Sequence, residues 1–74
     1  MAKEYEYEFR MIGLKVAYYR KAKNLTQEQL AEKLNVTTSY IGSIESKTYK
    51  PISLKTLFRI AAALEVPPSK FLEF

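Results

Sequence analysis

The hydrophobic residues of the chain recur at helical spacing in several separate segments. The first covers about residues 10–23, where Ile12 and Val16 fall on one side of a helix with 3.6 residues per turn. Asn24 follows it and suits the left-handed backbone conformation that often ends a helix. Upstream, residues 1–9 fit either helical spacing or the period-two alternation of a strand, because Glu and aromatic residues alternate there. The pattern predicts a first helix preceded by an arm whose conformation stays open.

Three further helices are predicted, each beginning at a residue with a side-chain hydroxyl. Thr26 begins the second helix and can form a capping box with Gln29, and Asn35 suits its end. Thr37 and Ser53 are the expected N-caps of the third and fourth helices. The residues expected to face the core are Leu30, Ala31, Leu34, Ile41, Ile44, Leu54, Leu57, Phe58, Ala61 and Leu64.

A last short helix is predicted from Pro67 and Pro68, since proline suits the first turn of a helix. Phe71 and Phe74 are expected to pack back onto the domain. No strong strand pattern or internal repeat is visible. With 74 residues, the chain is expected to form one all-α domain of five helices over residues 10–74, after a short N-terminal arm over residues 1–9.

The composition excludes several kinds of catalytic and metal-binding site. The chain contains no His, no Cys and no Asp, which removes His–nucleophile pairs and His/Cys metal sites. We therefore expect neither an enzyme, nor a cofactor, nor a bound metal. The absence of cysteine fits a reducing cytoplasm, and no apolar run of about 18 residues predicts a membrane span.

The distribution of charge favours a polyanionic partner. The net charge is +4. Residues 1–10 hold two basic and three acidic side chains (2 − 3 = −1), whereas residues 11–74 hold ten and five (10 − 5 = +5). A basic body is typical of nucleic-acid-binding proteins, although a surplus of solvated lysines is an equally ordinary explanation.

The third helix has an outer face of small polar residues. With Ile41 and Ile44 directed inward, the residues Ser39 and Ser43 point outward, and Thr38 lies at the exposed first turn. A helix without large outward side chains can approach another surface closely, and hydroxyl groups can bond to base edges. The simpler interpretation is an ordinary polar helix face.

The neighbouring segments supply groups suited to phosphate. Gln27 lies in the first turn of the second helix, where free amides and the helix dipole favour an anion. Lys47 and Lys50 follow the third helix and can reach a DNA backbone, and Tyr49 can donate its hydroxyl to a phosphate. Taken singly, each lysine is better explained as a solvated charge.

The segment from residue 12 to residue 71 resembles the lambda-repressor/Cro-like helix-turn-helix family, also called the XRE family. The matching motifs are IGLKVAYYR, LTQEQLAEKLNV, SYIGSIES and LKTLFRIAAALEV, in this order and spacing. The resemblance implies a five-helix fold in which the second and third helices form the DNA-binding unit. The loop before the fourth helix, which contains Tyr49 and Lys50, is about one residue longer than is usual in the family.

The resemblance also implies roles for single residues. Gln27 matches a phosphate-contacting position. Thr38, Ser39 and Ser43 match base-reading positions, with Tyr40 at their flank. Arg20 and Glu45 match an ion pair inside the family domain, and both stand at a semi-buried helical phase. Lys47 departs from the family pattern, which usually has glycine there.

A second apolar stripe lies on the first helix. Met11, Leu14 and Tyr18 are spaced i, i+3 and i+7 on the side opposite to the core residues, where the family usually has charged residues at the last two positions. The aromatic arm can fold back onto this stripe, a second subunit can cover it, or its members can be scattered surface residues. We hypothesise that arm and stripe contribute to a homodimer. The C-terminal residues Phe71, Leu72 and Phe74 offer the alternative surface that the family often uses.

The sequence as a whole predicts a sequence-specific DNA-binding transcriptional regulator, most simply a repressor. The helix at about residues 38–46 would read the major groove of double-stranded DNA, as a homodimer on an inverted repeat. No membrane and no small-molecule ligand is expected as a partner. The alternative is a protein-interaction module on a helix-turn-helix scaffold, either antitoxin-like or antagonist-binding.

Overall fold

The computed structural model describes residues 4–46 and 50–74. It contains α1 (Glu6–Ala22), α2 (Gln27–Leu34), α3 (Thr38–Glu45), α4 (Leu54–Leu64) and a C-terminal 3₁₀ helix (Pro68–Leu72). The described residues contain no strand. The all-α prediction is confirmed. The count differs slightly, since four of the five predicted helices are α-helices and the last is a short 3₁₀ helix that begins at a proline.

The first helix begins earlier than the sequence predicted. It starts at Glu6 and not near residue 10, directly after Tyr5, whose φ is 62°. The predicted arm is therefore helical from residue 6, and a strand is excluded for residues 6–9. Two features explain the longer helix. Phe9 packs against the core, and the carboxylates of Glu6 and Glu8 lie in the first turn, where they interact favourably with the positive end of the helix dipole.

The predicted caps are present. Gln29 N donates to Thr26 Oγ1 over 3.0 Å while Thr26 N donates to Gln29 Oε1 over 2.8 Å, which completes the capping box of α2. Thr37 accepts from Tyr40 N at 3.1 Å, and Ser53 caps α4 in the same way. Each cap satisfies an amide that the helix itself leaves unbonded.

The C-terminal ends of the first two helices have the left-handed residues that the sequence predicted, and α4 has one that it did not. Asn24 and Asn35 adopt φ values of 58° and 56°, the left-handed conformation expected of them. Glu65 ends α4 with a φ of 59°. Glutamate has no special tolerance for this conformation, so the sequence contained no local indication of it.

The core combines residues from all five helices. Its buried hydrophobic side chains are Ile12, Val16, Leu30, Ala31, Leu34, Ile41, Ile44, Leu57, Ile60, Ala61, Leu64 and Phe71. The expectation that Leu54 and Phe58 are buried is wrong, since they are 62% and 52% exposed. At 100° per residue they lie beside the inward face of α4, which Leu57, Ile60, Ala61 and Leu64 occupy.

The packing of α1 positions the remaining helices. An ideal Cβ at Gly13 would lie 2.1 Å from the carbonyl oxygen of Ile44, so only glycine allows α1 to cross the end of α3 this closely. Farther along α1, the ring of Tyr19 meets the buried ring of Phe71 edge-on at 5.3 Å. Phe74 is exposed and contacts the ring of Tyr7 at its edge. None of the described helices is long and apolar enough to span a bilayer.

Candidate nucleic-acid interface

The first turn of α3 faces solvent. Ile41 and Ile44 are buried and hold the helix on the domain, while Thr38 and Ser39 on the other side are exposed. Ser43, one turn later, is half-buried. Its hydroxyl donates to the carbonyl oxygen of Tyr40 over 2.7 Å, which leaves the lone pairs of the hydroxyl oxygen available to an outside donor. The face presents short hydroxyl side chains, as the sequence predicted.

Tyr40 lies at the edge of this face. Its ring packs against the core cluster, and the ammonium of Lys50 stands 5.4 Å from the ring centroid. A cation at this distance from an aromatic face is attracted by the ring quadrupole. Lys50 is thereby held beside the N-terminal half of α3. Lys47 and Tyr49, the other two predicted phosphate contacts after α3, lie outside the described residues.

The structure places Arg20 of α1 against Glu45 at the end of α3. Arg20 Nε donates to Glu45 Oε2 over 2.7 Å and a terminal nitrogen donates to Oε1 over 2.9 Å, so the pair is bidentate. The other terminal nitrogen donates to the carbonyl oxygen of Leu25 over 2.7 Å. The hydrogen bond to Glu45 raises the pKa of Arg20 above its usual value and outweighs the opposing effect of burial. The guanidinium therefore stays charged at every working pH.

This pair also determines the charge of the α3 surface. Glu45 is the only charged residue of α3. Its side chain is 5% exposed and that of Arg20 is 9% exposed. The carboxylate is therefore neutralised beneath the surface, and α3 presents no anionic group that would repel a phosphate backbone.

Gln27 lies at the start of α2 and has a structural bond that the sequence did not indicate. Its side-chain Nε2 donates to Glu45 Oε1 over 3.0 Å, linking α2 to the same carboxylate. The capping box uses the amides of Thr26 and Gln29, and within the described residues the backbone amides of Gln27 and Glu28 have no partner. Glu45 uses one of the two hydrogens of the Gln27 side-chain amide, so the second hydrogen and the backbone amide remain available to a phosphate.

Two residues that support this site were missed by sequence reasoning. Gly13 sets the separation of α1 and α3, and Arg59 of α4 donates to the carbonyl oxygen of Leu34 at the turn between α2 and α3. A glycine inside a helix costs about 1 kcal/mol against alanine and was a usable signal for Gly13. No local pattern marks Arg59, because its partner is 25 residues away. The described part of the chain contains no acidic, His or Cys cluster suited to a metal.

Comparison with known proteins assigns the family. The model of the family described as Helix-turn-helix matches residues 16–71. The immunity repressor of Bacillus phage phi105 is 45% identical over 58 residues, which are 78% of this chain and 40% of the repressor. The regulator SinR of Bacillus subtilis is 39% identical over 56 residues, 76% of this chain and 50% of SinR. The chain thus spans half or less of these two relatives.

Solved structures agree with the sequence matches. The restriction-modification controller protein C.AhdI of Aeromonas hydrophila superposes with a TM-score of 0.83 at 28% identity, over 93% of this chain and 99% of that one. SinR in complex with DNA superposes with a TM-score of 0.74 at 36% identity, over 84% and 98% of the two chains. The chain belongs to the helix-turn-helix family of the lambda-repressor/XRE type. The helix-turn-helix of this family corresponds in this chain to α2, the turn after it and α3.

Proposed function

We propose that this protein represses transcription by inserting α3 into the major groove of double-stranded DNA. The observation that carries the proposal is the capped N-terminal turn of α3, which presents the exposed hydroxyls of Thr38 and Ser39 while its one carboxylate is paired beneath. An α-helix fits the major groove of B-DNA, where base edges display donors and acceptors. The likeness to SinR, whose structure was solved in complex with DNA, supports DNA as the partner.

The residues divide into base-reading and phosphate-contacting groups. Thr38, Ser39 and Ser43 read base edges, with Tyr40 at their flank. The backbone amide of Gln27 and the ammonium of Lys50 bind phosphates on the two sides of α3, because the former lies at a helix N-terminus and the latter is held by the Tyr40 ring. Lys47 and Tyr49 complete the phosphate contacts in this proposal.

Two copies bind together on an inverted repeat. A single domain of this type makes few base contacts, whereas a two-fold dimer reads two half-sites about 34–36 Å apart, or a multiple of this distance, on one face of the duplex. Occupation of such a site in the cytoplasm would exclude other proteins from the same DNA. The repressor name of the phage relative supports this direction of control.

The salt dependence of binding tests the DNA contacts. Bound phosphates release counterions, so log K should fall linearly with log salt for the full chain on duplex DNA. Lys50→Ala should reduce that slope by about 1 and weaken binding to all sequences alike. Lys33→Ala is the matched control, because Lys33 is exposed in the last turn of α2. Binding that is absent at low salt would refute the proposal.

Base reading has its own test. Duplexes selected from a random pool should yield an inverted repeat, and Ser39→Ala should change the preferred base at one position in each half-site. If the preferred bases are the same for Thr38→Ala, Ser39→Ala, Ser43→Ala and the unaltered chain, these residues do not read bases.

The rival function, a module that binds another protein, draws support from the exposed stripe on α1. It predicts little DNA binding at any salt concentration.

A further inference from the structure

The outer face of α1 carries an apolar seam that residues 4–46 and 50–74 leave largely exposed. The seam consists of Tyr7, Met11, Leu14 and Tyr18, spaced by four, three and four residues. Leu14 is 46% exposed and Tyr18 67% exposed; Tyr7 is also exposed and Met11 is half-buried. The opposite face of α1 holds the buried Ile12, Val16 and Arg20. Residues 6–9 of the predicted arm do not fold back over the seam, because they continue the helix that bears it.

The spacing of the seam suits a second helix. Alternating steps of four and three residues place side chains in one line along a helix, which is the arrangement that interlocks with a facing helix in a coiled coil. Tyr7 and Tyr18 are 11 positions apart, so the seam extends over about 16 Å of helix. Contact between the ring of Tyr7 and Phe74 extends the apolar surface towards the C-terminal segment.

The charges beside the seam select the direction of the facing helix. Glu8 and Lys15 lie on one flank, each directly after a seam residue, and both are half-buried. If a second α1 lies antiparallel, with Tyr7 opposite Tyr18 and Met11 opposite Leu14, then Glu8 of each copy meets Lys15 of the other. Two opposite-charge pairs form across the two-fold axis.

A parallel arrangement of the two α1 helices would place positive charges beside each other. Arg10 lies on the other flank of the seam, and parallel pairing brings it beside Lys15 of the second copy, five residues farther along. Two like-charge contacts would result, one on each side of the dimer. An isologous antiparallel pair is therefore the arrangement that the α1 charges favour.

We infer that the outer face of α1 binds the same face of α1 in a second copy of this chain, antiparallel, through the seam and the Glu8–Lys15 pairs. The inference rests on the proposed association of two copies and names the surface that joins them. A contact between two single helix faces falls below the roughly 1,200 Å² of stable interfaces. It therefore operates at high protein concentration or between copies already held on one DNA molecule.

Sedimentation of the full chain over a concentration series tests the direction of pairing by charge exchange. Lys15→Glu alone and Glu8→Lys alone each turn both cross-helix pairs repulsive and should raise the dissociation constant about tenfold. An equal mixture of the two variants should associate as well as the unaltered chain does, because opposite charges face each other again. The double variant Glu8→Lys/Lys15→Glu should self-associate like the unaltered chain at unchanged net charge. A mixture that fails to associate would overturn the antiparallel seam.

A second pair of variants tests the seam itself. Leu14→Ser should raise the dissociation constant at least tenfold, with its helix content confirmed by circular dichroism. Phe58→Ser is the matched control, since Phe58 is a similarly exposed apolar residue on α4. Dissociation by Phe58→Ser and not by Leu14→Ser would move the interface to α4 and overturn the inference.

Binding to a short duplex that holds one copy separates this inference from the proposed function. Leu14→Ser should bind it as the unaltered chain does. If Leu14→Ser binds DNA and still self-associates like the unaltered chain, the inference about the seam is wrong and the proposed DNA-binding function stands. If the chain does not bind DNA but its self-association responds to the Glu8 and Lys15 variants as expected, the proposed function is wrong and the seam stands.

Discussion

Replacing Glu45 by alanine tests how the position of α3 is maintained. Glu45 accepts two hydrogen bonds from Arg20, over 2.7 and 2.9 Å, and one from Gln27 over 3.0 Å. It thereby ties α3 to α1 and α2 at once. Without it, two nitrogens of a guanidinium that is 9% exposed lose their carboxylate, and the Gln27 amide loses its acceptor.

The size of the effect follows from the burial of the pair. Removing one partner of a buried ion pair costs about 3–5 kcal/mol, because the other charge is left buried and unpaired. A 74-residue domain has a total stability of about 4–11 kcal/mol at 0.05–0.15 kcal/mol per residue. At about 4–8 °C per kcal/mol for a domain of this size, Glu45→Ala should lower Tm by at least about 12 °C.

Urea unfolding followed by circular dichroism measures the change. Glu73→Ala is the control, because it removes an exposed carboxylate 3.7 Å from Lys70 and should cost less than about 1 kcal/mol. Replacing Arg20 and Glu45 together by methionine should cost less than the sum of the two single changes, since no unpaired charge remains. If Glu45→Ala and Glu73→Ala unfold at the same urea concentration, the pair has no structural role and the reasoning fails.

Three further changes have expected outcomes that thermal or urea unfolding can measure. Gly13→Ala should destabilise the domain by about 1–3 kcal/mol, because its Cβ meets the Ile44 carbonyl, whereas Gly42→Ala should not, since its nearest contact is an ordinary 3.5 Å. An equal effect of the two would refute the close crossing. Thr26→Ala should cost about 1 kcal/mol by opening the capping box, and no loss would mean that water replaces the cap. Glu65→Gly should stabilise by about 0.5–1 kcal/mol, because glycine adopts the observed φ of 59° freely; a lower Tm would show that the Glu65 side chain contributes more than the backbone strain costs.

Much of the candidate interface could be predicted because its signals are local. The hydroxyls of Thr26 and Thr37 cap helices that begin one residue later, and Asn35 ends α2 in the left-handed conformation. These interactions span only three or four residues, so the sequence order alone brings the partners together. The outward position of Ser39 likewise follows from helical periodicity once Ile41 and Ile44 are assigned to the core.

Other features depended on contacts between distant parts of the chain. Periodicity assigned Leu54 and Phe58 to the core, but the inward direction of α4 is set by the helices that it meets, and both lie outside it. The start of α1 at Glu6 was missed because the alternation of Glu and aromatic residues fits two conformations, and the packing of Phe9 selects the helix.

By itself the sequence determined the number and order of the helices, the hydroxyl caps of α2, α3 and α4 and the polar character of the α3 face, since these depend on neighbours within a turn or two. The tertiary structure alone decided three contacts. The Gln27 side chain donates to Glu45, Arg59 donates to the Leu34 carbonyl before the turn between α2 and α3, and Gly13 allows α1 to pack closely against the end of α3. Each of these contacts joins residues 18 or more positions apart. Their geometry exists only after the helices have packed. A glycine within a helix can indicate a close approach, but no local pattern of residues identifies the partner.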